Sequence, residues 1–156
     1  DLMEQPEEQL AEEIYNTITA GSYKMDRITL NNLVKRGGKL KNLSLSQLNV
    51  LSFLESREYV IMKDIGKELE IKPSSVTNLV NRLIKADLVE RSYDPHDRRI
   101  IKVNLSEEGK ALIEEVRNAN RKYWEKILKK IEKTEYEEIL RVLKKLHKIL
   151  CETIEK

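Results

Sequence analysis

One cysteine in 156 residues, Cys151, excludes an internal disulfide framework and leaves a cytosolic thiol as its plain reading. Glycine is scarce, at Gly21, Gly37, Gly38, Gly66 and Gly109, and none of these builds a phosphate loop, a dinucleotide-binding fingerprint or a nucleophile elbow. The two histidines, His96 and His147, stand isolated, so no Cys/His cluster has zinc spacing, and neither a metal nor a cofactor is expected. No nucleophile-base pair or carboxylate pair is set apart by spacing, so the chain is not expected to be an enzyme. Apolar runs stop well short of the roughly 18 to 20 residues of a membrane span. The first residues also lack the basic and apolar regions of a secretory signal, so a cytoplasmic protein that makes no membrane contact is the expectation.

What is present is charge and helix-forming apolar residues. A charged fraction of 36% beside a hydrophobic fraction of 40% suits a soluble helical domain and is too apolar for disorder. The net charge of +2 says little about partners, but its distribution says more. Residues 1–20 hold six acids (Asp1, Glu4, Glu7, Glu8, Glu12, Glu13) and no base, whereas residues 71–105 hold seven bases against four acids. A local surplus of bases is what phosphate contact requires.

Leu10, Ile14, Ile18, Met25, Ile28, Leu33 and Val34 recur at helical spacing and predict a long first helix from Glu7 to about Lys35, with Gly21 as a kink point. Gly37 and Gly38 end it, and Lys35, Arg36, Lys39 and Lys41 form a basic connector. Ser44 and Gln47 fit a capping box that opens a second helix carrying Leu48, Val50, Leu51 and Leu54. A short third helix is expected over Lys63 to Glu70. Pro73 breaks the pattern and suits the first turn of a fourth helix, over Ser74 to Ala86. Two short helices joined by such a turn are the helix-turn-helix pattern.

On the fourth helix, Val76, Leu79, Val80, Leu83 and Ile84 fall on one side, and Ser74, Ser75, Asn78, Asn81, Arg82 and Lys85 on the other. Small hydroxyls allow close approach to a groove, amides match adenine edges, and cations serve guanine or phosphate. A plain amphipathic surface helix is the alternative, and it would carry more Glu and Lys. Leu88–Tyr93 and Ile100–Leu105 then read as two short strands, the second alternating Ile101, Val103 and Leu105 with Lys102 and Asn104, joined by Asp94-Pro95-His96-Asp97-Arg98-Arg99. An arginine at such a hairpin tip, Arg98 or Arg99, suits the negative potential of a narrow minor groove. Ser106 caps a fifth helix with the stripe Leu112, Ile113, Val116, Tyr123, Ile127, Leu128 and Ile131. Thr134 and Glu137 form a capping box for a sixth, bearing Tyr136, Ile139, Leu140, Leu143, Leu146, Ile149, Leu150 and Ile154. Unless they fold back on the first helix, these apolar stripes call for a second subunit, hence a homodimer.

The order of elements, with Asp97-Arg98-Arg99 followed by Leu105-Ser106-Glu107-Glu108-Gly109, resembles the MarR family of bacterial and archaeal regulators over nearly the whole chain. Ser75-Val76-Thr77, Leu83 and Leu88-Val89-Glu90-Arg91 match its recognition helix and the start of its wing. The resemblance implies a mainly α fold, an α+β winged helix-turn-helix with N- and C-terminal dimerisation helices. Residues 1–43 and 106–156 would dimerise and residues 44–105 would bind double-stranded DNA at a palindromic operator. Carried over by position, Asp97 would orient the wing, Arg99 with Arg98 would enter the minor groove, and Ser74, Ser75, Thr77, Asn78, Asn81 and Arg82 would face the major groove or its phosphates.

Many relatives bind small aromatic or amphipathic acids between dimer base and lobe. Here Tyr15, Tyr23 and Arg36 would supply stacking and a cation, core packing of the tyrosines being the plainer reading. Asn78 stands where many members have arginine, and Gly66 and Asp87 replace a usual alanine and glycine. The first-helix cysteine of the peroxide sensors and the histidine clusters of the zinc sensors are missing. The rival from another class is a helical interaction protein whose winged lobe docks protein.

Overall fold

The computed structural model describes residues 6–154, without the side chains of Arg36, Lys39 and Ile154; Asp1, Glu4 and those three side chains therefore lie outside the described residues. Among the described residues, six α-helices and three short strands run in the order α1 (Glu7–Arg36), α2 (Leu45–Glu55), β1 (Val60–Ile61), α3 (Met62–Glu68), α4 (Pro73–Lys85), β2 (Val89–Tyr93), β3 (Ile101–Leu105), α5 (Glu107–Leu128) and α6 (Tyr136–Ile154). The fold is mainly α with a small antiparallel sheet: a winged helix-turn-helix flanked by long helices.

Local chemistry accounts for most boundaries. α1 runs unbroken through Gly21; one glycine costs a helix interior only about 1 kcal/mol. It stops where Gly37 and Gly38 take φ of 73° and 59°, angles open mainly to glycine. The Ser44 hydroxyl accepts the Gln47 N–H while the Gln47 side chain accepts the Ser44 N–H, the capping box that starts α2. Pro73 is the first residue of α4. The Ser106 hydroxyl accepts the Gly109 N–H at 3.0 Å and starts α5. At α6 the expectation fails: the box forms between Glu132 and Glu135, opening a single 3₁₀ turn over Lys133–Glu135, and not between Thr134 and Glu137. A carboxylate at each end satisfies the N–H groups of Glu132 and Glu135, two residues ahead of the expected box, and Ile131 falls in the turn beyond α5.

β1, too short to leave a pattern, pairs with β3 through Val60↔Val103 and Ile61↔Lys102, while β2 pairs with β3 from Val89↔Leu105 to Tyr93↔Ile101. β3 is thus the central strand. One core joins Leu48, Val50, Leu51 and Leu54 of α2, Ile65 of α3, Val76, Val80 and Leu83 of α4, Leu88, Val103, and Leu112 and Ile113 of α5.

The chain divides into two compact units, one ending at Val116 and the other starting at Arg117. In the second unit α6 leaves Ile139, Leu140, Val142, Leu143, Ile149 and Leu150 exposed; in the first, α1 leaves Ile14, Ile18 and Val34 exposed. Among the described residues no helix is long and apolar enough to cross a membrane, and no group of three metal-ligating side chains forms.

Candidate nucleic-acid interface

α4 is pinned from beneath by Val76, Val80 and Leu83, each buried. At 100° per residue, Ser74, Ser75, Asn81, Arg82 and Lys85 then lie within about 60° of Asn78. All six are exposed, so the helix presents one continuous polar arc that contains no acid. Thr77, also exposed, sits at the arc's shoulder, about 100° from Asn78, and its hydroxyl donates to the Pro73 carbonyl at 3.1 Å. Its oxygen therefore serves the helix before it serves a ligand. The N-cap position, Lys72, offers no side-chain cap, which leaves the positive end of α4 free of an internal anion.

Grooves flank the arc. On one side Thr77 and Pro73 share a groove with Lys63 and Lys67 of α3. On the other, Asn81 and Lys85 share one with Arg91 of β2, Glu90 and Ser106. Sequence reasoning missed Lys63, Lys67 and Arg91 as candidate cations; the signal for the first two was a lysine pair four apart on α3.

The loop between β2 and β3 is organised by two aspartates. Asp94 Oδ1 accepts the N–H groups of His96 at 2.9 Å and Asp97 at 3.3 Å, and its other oxygen lies 2.8 Å from Lys102 Nζ. The Lys102 ammonium, then the His96 N–H, hold the Asp94 carboxyl below the usual carboxylate range, and Asp94 raises Lys102 in turn. Asp97 accepts from Arg99 three times: the backbone N–H at 3.0 Å, Nε at 3.1 Å and Nη2 at 3.3 Å. Arg99's guanidinium, ahead of its N–H, keeps Asp97 below its ordinary range as well. Gripped from behind, the Arg99 side chain is still 91% exposed, and Arg98 is exposed beside it.

The three wing residues thus come together, as do the α4 residues on their arc. Tyr15 and Tyr23 do not: 67% and 63% exposed, they sit about 12 Å apart along α1. Within the single chain neither tyrosine packs into the core. Arg27 lies 6.0 Å from the Tyr23 ring, and Arg36's side chain lies outside the described residues.

The family model described as MarR family matches residues 41–100. The HTH-type transcriptional repressor MdtR of Bacillus subtilis is 31% identical over 109 residues, 70% of this chain and 67% of that protein. The chain spans between 34% and 44% of the length of four further curated Bacillus subtilis relatives. A MarR family protein from Bacillus stearothermophilus aligns with a TM-score of 0.79 at 23% identity, covering 94% of this chain and 99% of that one. Streptococcus pneumoniae FabT, solved in complex with DNA, aligns with a TM-score of 0.74 at 20% identity over 92% of this chain and 99% of that one. At those identities the two structures speak for the fold.

Proposed function

Because the chain belongs to the MarR family of DNA-binding transcriptional regulators, we propose that it works as a homodimeric, ligand-responsive repressor in the cytoplasm, reading a pseudo-palindromic operator. The observation that carries this is the acid-free arc of α4 paired with a hairpin whose Asp97 presents an exposed Arg99. Ser74, Ser75, Asn78 and Asn81 are suited to base edges in the major groove, Arg82 and Lys85 to guanine or phosphate, and Thr77 to a shoulder contact. Arg99, with Arg98 beside it, suits the minor groove, and Asp97 orients it. The repressor role is supported by the name of MdtR, and DNA as partner by the complex solved for FabT.

Residues 44–105 form the reading lobe in this proposal, and residues 1–43 and 106–156 the dimerisation helices. The exposed apolar side chains of α1 and α6 support that division, since stripes of this kind are rarely left in water. A two-fold dimer presents two recognition helices to two half-sites, so the operator should mirror its symmetry. A small aromatic or amphipathic acid is the proposed effector; Tyr15, Tyr23 and Arg36 are spread over about 30 Å of α1, so they would meet one such molecule only with a second chain contributing.

Selection of bound duplexes from a random pool tests this reading, followed by titration of the enriched duplex at several salt concentrations. An inverted repeat and a steep loss of affinity with salt are the expected results. No enrichment, or binding indifferent to salt, would overturn it in favour of a winged lobe that docks protein. Screening aromatic acids for release of the duplex then tests the effector.

A further inference from the structure

By charge alone Lys102 counts among the bases that surround a DNA-reading lobe, yet its ammonium is engaged by partners within the chain. It stands on the central strand, opposite Ser92 on one side and Ile61 on the other. Its side chain is 21% exposed, 2.8 Å from Asp94 Oδ2 and 4.3 Å from the centroid of the Tyr59 ring. The other oxygen of Asp94 holds the N–H groups of His96 and Asp97, and Asp97 grips Arg99. A line of contacts therefore runs from Tyr59, ahead of β1, across the sheet to the wing tip.

We propose that Lys102 is a positioning residue, which sets the wing through Asp94 and is itself braced on Tyr59, and that it makes no phosphate contact. The proposal rests on the DNA-binding reading of the lobe. An ammonium shared between a carboxylate and an aromatic face is satisfied on two sides, and turning it toward a phosphate would surrender both contacts. The cost of losing it falls on the loop: without the ion pair, Asp94 keeps its turn hydrogen bonds and its backbone bond to Ile100, but its carboxylate is no longer anchored to the central strand. Arg99 would then sample more positions before meeting DNA, and ordering it on binding would lower affinity.

The test compares Asp94→Asn, which keeps an oxygen for the two N–H groups, Lys102→Met, which keeps the stem, and the double variant. Two quantities are read: affinity for the selected duplex as a function of salt, and the ¹⁵N heteronuclear NOE of residues 96–99 in the free protein. Each single variant should bind about three- to tenfold more weakly, with an unchanged salt slope and lowered NOE values, and the double should be no weaker than either single. Lys102→Arg should restore most of the loss. A salt slope reduced by about one in Lys102→Met would show a lost phosphate contact and overturn the proposal. Additive losses, or NOE values that stay at the wild-type level, would overturn it too. Wild-type protein that binds no duplex would instead sink the regulator reading, while the NOE comparison would still decide the brace.

Discussion

Two residues sit where side chains are costly. Glu70 (φ 52°) and Asp87 (φ 61°) occupy left-handed backbone at the ends of α3 and α4. Each closes its helix in the same way: Ile71 N–H donates to the Gly66 carbonyl and Glu70 N–H to Lys67, then Leu88 N–H to Leu83 and Asp87 N–H to Ile84. Aspartate tolerates this region better than glutamate does. Replacing Glu70 by glycine removes about 1–2 kcal/mol of strain and adds about 0.5–1 kcal/mol of chain entropy cost, so Glu70→Gly should stabilise the fold by up to about 1.5 kcal/mol in urea unfolding. Gly109 is the opposite case, since a Cβ there would overlap the Leu88 carbonyl oxygen. Gly109→Ala should cost about 1–3 kcal/mol, and an unfolding midpoint equal to wild type would show that α5 can shift freely. Asp94 and Asp97 have folded-state pKa values below the ordinary carboxylate value, so their contribution is complete above that value and is lost as pH falls through the lower, folded one. Carboxyl chemical shifts followed by NMR should place both midpoints below that of a free aspartate, and a midpoint at or above it would mean that the wing contacts do not hold in solution.

At the scale of elements, α4 was the most legible stretch, because Pro73 marks its start and the apolar period of Val76, Val80 and Leu83 fixes which face is buried. Every residue expected to be exposed on it is exposed. β1 was invisible, since two residues carry no period and their pairing depends on a strand far along the chain. The wing was half legible: Asp94-Pro95 announces a turn, but Lys102 reaches Asp94, and Tyr59 reaches Lys102, only once the sheet has formed. The capping box of α6 was misplaced because two overlapping patterns compete and sequence does not rank them. The arc of α4 and the wing should differ in how they respond to substitution. Asn81→Ala should cost about 1–3 kcal/mol at a single base position and relax preference there, whereas Arg99→Ala should weaken many duplexes together and flatten the salt dependence. Titrating both against single-base operator variants checks this, and the reverse pattern would exchange the grooves assigned to helix and wing.

For the whole molecule, what remains unsatisfied is apolar surface. On α6, Ile139, Val142, Leu143, Leu146, Ile149 and Leu150 occupy one side and Arg141, Lys144 and Lys148 the other, at 100° per residue. Leu143 and Leu150 are 54% and 49% exposed in the single chain. Fully burying a leucine contributes about 1.5–3 kcal/mol, so several such residues pairing with a second copy can outweigh the cost of association. A carboxylate at those positions would be desolvated without a partner, and Leu143→Glu with Leu150→Glu should yield monomers or insoluble protein in sedimentation. Lys144→Glu, on the opposite side of the same helix, should leave the dimer intact and so controls for helix disruption. Losing the dimer also unlinks the two half-sites, so a folded monomer should bind the full operator about 10²- to 10⁴-fold more weakly while its affinity for an isolated half-site is unchanged. A double variant that sediments as a dimer and binds like wild type would remove the α6 stripe from the interface. The exposed side chains of α1 would then be left as the surface on which two chains meet.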